Sequence, residues 1–104
     1  RPWCIGKSFD HASPIGPITP AAQAGDVENA ELFVQVGGKD RQRSNVSKLI
    51  WNIGEIIEHI SNAWELQPGD LIYTGTPAGV AAVSVGDTMH GHVAGLTDIH
   101  VKVV

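Results

Sequence analysis

From Glu31 to Val36 the chain alternates, with Leu32, Val34 and Val36 apolar on one side and Phe33 and Gln35 on the other. That period of two predicts a strand. Gly37-Gly38-Lys39-Asp40 then reads as a turn, and Arg41-Gln42-Arg43 as the polar return arm of a hairpin. Ser44 to Ser47 reads as a polar loop. Asn52 offers a helix cap, with Glu55 three residues on to complete a capping box. Ile53, Ile56, Ile57, Ile60, Ala63 and Trp64 recur at helical spacing and share one face, which predicts the single long helix. Glu55, Glu58, His59 and Asn62 fall on its polar face. Pro68-Gly69-Asp70 stops the run. Leu71-Ile72-Tyr73-Thr74, rich in aromatic and β-branched residues, predicts a buried strand that runs into the loop Gly75-Thr76-Pro77-Ala78-Gly79-Val80. After a turn at Gly86-Asp87, Thr88 to Val93 and Ile99 to Val104 predict two more strands, linked by Gly95-Leu96-Thr97-Asp98. Before Glu31, Pro2, Pro14, Pro17 and Pro20 predict an irregular segment, with one short extended piece from Trp3 to Ile5. The expected fold class is mainly β with one helix, in one domain.

Composition narrows the reading. The chain has 104 residues, of which 42% are hydrophobic, too apolar for a disordered tail. Its 12 glycines exceed the usual ~7% and favour a loop-rich β architecture. Seven Lys and Arg against 11 Asp and Glu leave a net charge of -4, which argues against a nucleic-acid partner. No apolar run is long enough to span a bilayer. The single cysteine excludes an internal disulfide, so a cytoplasmic setting is expected. The opening Arg1-Pro2-Trp3-Cys4, without Met, reads as the interior of a longer protein.

Few residues offer chemistry. Lys7 sits in a proline- and glycine-bounded loop that can aim an ammonium into a cleft, although a solvated surface lysine is the simpler reading. Gly75 and Thr76 follow the expected strand and offer backbone N–H groups and a hydroxyl to an anion, or else form a plain turn. His90 and His92 lie two apart on one strand face, a spacing able to hold a metal, yet no third ligand sits nearby in sequence. His11, His59 and His100 look isolated. Cys4, between Trp3 and Ile5, reads as a buried structural thiol. Lys39, Arg41 and Arg43 read as one face of the hairpin arm, a charged edge that discourages strand aggregation. The carboxylates, including Asp10 and Asp98, fall mostly at turns and caps and form no converging pair, so no residue is assigned as a metal ligand.

Taken together, four strings resemble the C-terminal half of the fumarylacetoacetate hydrolase family: Gly6-Lys7-Ser8-Phe9-Asp10 with Pro14-Ile15-Gly16-Pro17; the helix leading to Leu66-Gln67-Pro68-Gly69-Asp70; Tyr73-Thr74-Gly75-Thr76-Pro77-Ala78-Gly79-Val80; and Gly86-Asp87 with Gly95-Leu96. The opening Arg1 to Asp10 is most similar to the bacterial fumarylpyruvate-cleaving branch. The resemblance implies part of a mixed β-sandwich roll that needs Mg²⁺ or Mn²⁺, with the metal acting as Lewis acid in cleaving a carbon–carbon bond of a 1,3-dicarbonyl acid. It implies fumarylpyruvate as the small-molecule substrate, fumarate and pyruvate as products, a role in breaking down aromatic compounds, and a homodimer as the full-length protein. It carries Lys7 over as the catalytic lysine beside the bound substrate, and Gly75 and Thr76 as substrate-carboxylate binders. Asp10 is carried over as a structural brace. The family's metal ligands and water-activating pair match nothing here, so the expectation is a C-terminal portion of a catalytic domain, residues 1–104, inactive by itself.

Two other readings compete. One is a non-catalytic fragment or interaction domain that keeps the fold. The other, the weakest, is a small metal-binding module on His90 and His92. Within the family, an acylpyruvase, an oxaloacetate decarboxylase or an isomerase remains open.

Overall fold

The computed structural model describes residues 3–104. Strands β1 (Glu31–Val36), β2 (Lys39–Asn45), β3 (Thr88–Val93) and β4 (Ile99–Lys102) form one antiparallel sheet in the order β2-β1-β3-β4. Alternation along β1 decides its two faces. Phe33 stands opposite Arg43 and His92, and Gln35 opposite His90, which itself faces His100. This face is polar. Val34 stands opposite Gln42 and Gly91, and Val36 opposite Met89, on the more apolar face. Val36 is buried, a contribution of about 1.5–3 kcal/mol.

The hairpin arm carries one departure from simple alternation. The register slips between Val34 and Gln35, so Arg41 pairs with neither residue. Such a bulge moves every residue beyond it to the other face. Arg43 therefore opposes Phe33, while Lys39 opposes Val36. The expected shared face of Lys39, Arg41 and Arg43 is corrected accordingly. Arg43 donates to Asp40 at 2.7 Å and pairs with Glu31, and its guanidinium lies 4.8 Å above the Phe33 ring. β2 also runs longer than expected, taking in Ser44 and Asn45, and a 3-10 turn over Val46–Lys48 replaces the rest of the loop.

The long helix, α3 (Ile53–Ala63), forms as its spacing predicts. Asn52 accepts from the Glu55 N–H at 2.8 Å while the Glu55 carboxylate accepts from the Asn52 N–H at 3.1 Å, a complete capping box. Trp51, just before the cap, stacks on His59 at 4.0 Å, and His59 stays exposed on the polar face. No residue of α3 is buried.

Three expectations need correction. Leu71 to Thr74 is neither strand nor buried: a strand needs a neighbour to satisfy its backbone groups, and none of the four strands pairs with it. Trp3–Lys7 is a single helical turn (α1), not an extended piece; it contains no proline, and the Ser8 N–H bonds the Cys4 carbonyl at 2.8 Å. Cys4 is exposed on that turn rather than buried. A second short turn, α2 (Ala21–Ala24), follows Pro20 in the segment expected to be irregular.

Only Ala24, Ala30 and Val36 form the apolar core among the described residues. Large apolar side chains lie open, Ile50 at 97% and Trp3 at 80% exposure among them. A monomeric surface rarely carries so much exposed apolar area without a partner for it.

Candidate functional site

The loop Gly75–Gly79 is held against the apolar face of the sheet by one side chain of β2. The Gln42 amide donates to the Thr76 hydroxyl at 2.7 Å and to the Pro77 carbonyl at 2.9 Å. Gly79 completes the docking. Its φ is +103°, and a Cβ there would fall on the Arg41 carbonyl oxygen. Arg41 adds a bond to the Ala82 carbonyl at 3.4 Å. Because Gln42 donates, the Thr76 oxygen acts as acceptor toward it and its own proton is free to point outward. The N–H groups of Gly75 and Thr76 make no hydrogen bond among the described residues. An exposed hydroxyl and two free N–H groups, fixed from behind, can receive a carboxylate.

Lys7 closes α1 with its ammonium 5.8 Å from the centre of the Trp3 ring. It has no carboxylate partner among the described residues, so its charge is available. No hydrogen bond or ion pair joins Lys7 to Gly75 or Thr76. A shallow groove of about 470 Å³ between the end of α3 and Leu71–Tyr73 includes none of the three.

The second cluster lies on the polar face of the sheet. His90 Nε2 and His92 Nδ1 donate to the two oxygens of Asp98, at 2.7 and 2.6 Å. An ionised carboxylate only accepts, so each ring carries its proton on the nitrogen facing Asp98. These two bonds, His90's first, hold the Asp98 carboxyl below its ordinary value. His100 stacks on His90 with ring centres 4.3 Å apart, and Phe33 stacks on His92 at 4.7 Å. The same-face placement of His90 and His92 thus holds, but the absence of a third ligand does not. Asp98 and His100 arrive across the β3–β4 hairpin, whose symmetry about Gly95 sets residue 90 opposite residue 100.

The family model for the C-terminal part of fumarylacetoacetate (FAA) hydrolase matches residues 1–104. The chain belongs to the fumarylacetoacetate hydrolase family. It is 48% identical over 103 residues to a fumarylpyruvate hydrolase of Ralstonia sp, covering 99% of this chain and 53% of that relative. A mitochondrial oxaloacetate tautomerase of Caenorhabditis elegans is 38% identical over 97 residues, covering 93% of this chain and 44% of the relative. The crystal structure of fumarylpyruvate hydrolase from Pseudomonas aeruginosa in complex with Mn²⁺ and pyruvate superposes with a TM-score of 0.94 at 50% identity, over 100% of this chain and 45% of that one. The small antiparallel sheet with one main helix is therefore the C-terminal fold of this family. The chain spans about half the length of the curated relatives it matches.

Family membership raises the question of a hard divalent ion. Mg²⁺ and Mn²⁺ take oxygen cages rich in carboxylates. Among the described residues only one group of three donors converges, His90, Asp98 and His100, and it is rich in nitrogen. The residues present do not form the oxygen cage. Sequence reasoning missed Gln42, Asp98 and His100. Nothing in the wholly polar arm Lys39–Asn45 marks Gln42, which meets the apolar face only through pairing with Val34, whereas the i, i+2 spacing on both arms of a hairpin marked the other two.

Proposed function

We propose that residues 1–104 are the C-terminal portion of the catalytic domain of a 1,3-dicarbonyl-acid hydrolase, with the rest of that domain N-terminal to them. The preferred substrate is fumarylpyruvate, cleaved by water to fumarate and pyruvate. The observation that carries this reading is the 48% identity to a fumarylpyruvate hydrolase across nearly the whole chain. The loop geometry supports it. Thr76 and the Gly75 N–H receive a substrate carboxylate, with Gln42 keeping the Thr76 proton aimed at it. Lys7, as catalytic residue, offsets negative charge that develops on the dicarbonyl oxygens.

The full protein carries a divalent ion, Mn²⁺ or Mg²⁺, on residues outside this chain, and acts as a homodimer. The remaining half and the second copy cover apolar side chains such as Ile50, Trp64 and Tyr73, all open here.

A second reading is favoured by the 38% identity to an oxaloacetate tautomerase: keto–enol exchange or decarboxylation of oxaloacetate. Assay of the full-length protein with Mn²⁺ on both acids separates the two. Loss of the fumarylpyruvate diketo-enol absorbance, with fumarate and pyruvate in equal amounts, supports the hydrolase. Turnover of oxaloacetate alone overturns it in favour of the tautomerase.

A further inference from the structure

We propose that His90, Asp98 and His100 form a binding site for a borderline transition-metal ion of the Zn²⁺ type. The donor atoms of the three side chains all lie within 4.8 Å of one another. They come from both arms of the β3–β4 hairpin and from the turn between them, so the backbone register brings them together. His90 Nε2 and the Asp98 oxygen are 2.7 Å apart. Tetrahedral zinc, with bonds of about 2.0–2.1 Å, sets neighbouring ligands about 3.3 Å apart, so His90 and Asp98 open by about half an ångström, and His100, whose ring lies nearly parallel to that of His90, turns out of the stack to aim a nitrogen at the ion. Two imidazoles and one carboxylate suit Zn²⁺, Ni²⁺ or Cu²⁺, and suit Mg²⁺ poorly.

On loading, His90 changes tautomer through solvent, Nδ1 taking up a proton as Nε2 releases its own, and Nε2 offers its lone pair to the ion. His92 keeps its bond to the other Asp98 oxygen, at 2.6 Å, and so fixes the carboxylate. That is the positioning role outer-shell partners play around bound metals. Phe33, stacked on His92 and edge-on to His90 at 5.3 Å, walls one side. Water takes the fourth position. The bound ion clasps the edge strand β4 to β3.

Calorimetric titration of zinc chloride into the protein, with millimolar Mg²⁺ present to fill oxygen-donor sites, tests this. One equivalent of Zn²⁺ is expected to bind, with affinity at least tenfold weaker in His90→Ala and in His100→Ala. His92→Ala should weaken it by about tenfold. X-ray absorption of the zinc-loaded unmodified protein, which requires no variant to fold, should show two imidazole nitrogens on the metal. Zinc affinity unchanged in the His90 and His100 variants, or a coordination shell without imidazole, overturns the proposal.

Discussion

The Gln42 side-chain amide and the Thr76 hydroxyl, 34 residues apart, meet at 2.7 Å. That one bond ties the loop at residues 75–79 to the sheet and sets the direction of the Thr76 proton. Gln42→Ala removes the donor to both the Thr76 hydroxyl and the Pro77 carbonyl. The expected loss is about 1–2 kcal/mol of stability, with faster hydrogen exchange confined to the loop. Urea unfolding with an unchanged slope, read beside the exchange data, checks it. Exchange in the loop that stays at the parent rate contradicts the assignment.

Gly79 supplies an independent test of the same docking. An alanine there meets both the penalty of φ +103° and the Arg41 carbonyl. Gly86, at φ +94° with open space around it, meets the first penalty alone. Gly79→Ala should therefore cost more than Gly86→Ala, about 3 kcal/mol or above against about 1. Thermal unfolding of the two variants side by side decides it, and equal losses would mean the loop does not press on β2.

Asp40 gives the hairpin a dependence on acid. Bonds from Arg43 and then Gln35, at 2.7 and 2.9 Å, lower its pKa from the ordinary 3.8. A depressed carboxylate stabilises the fold above its unfolded pKa, and that contribution fades as pH falls through the lowered folded value. Carbon-detected NMR titration should place the Asp40 midpoint below 3.8. In Asp40→Asn the acid-dependent change at the hairpin amides should shrink, with Glu31 still paired to Arg43. A midpoint at or above the ordinary value would show that these bonds do not persist in solution.

Elements whose cause is local could be read from the chain. The alternation of Leu32, Val34 and Val36, and the Asn52–Glu55 box ahead of the isoleucine face, fix β1 and α3 by backbone geometry alone. Leu71 to Thr74 misled because strand propensity describes what suits a pleated surface, and a partner must still be there to pair with it. The bulge at Val34–Gln35 was invisible for a related reason: register is a property of two strands, and it alone separates Lys39 from Arg43. The site divided the same way. Lys7, Gly75 and Thr76 stand out from the composition of their loops and take their roles from motif resemblance, whereas Gln42, Asp98 and His100 owe their places to pairing across the sheet.

Steady-state kinetics of the full-length protein on fumarylpyruvate, with Lys7→Met and Thr76→Val beside the parent, tests the central claim most directly. Loss of the ammonium should lower kcat by about 100-fold or more, as loss of one electrostatic stabiliser does elsewhere. Loss of the Thr76 hydroxyl should act mainly by raising KM. Parent-like kcat/KM in both variants, with folding intact, would contradict the proposed assignment of substrate contacts to residues 1–104.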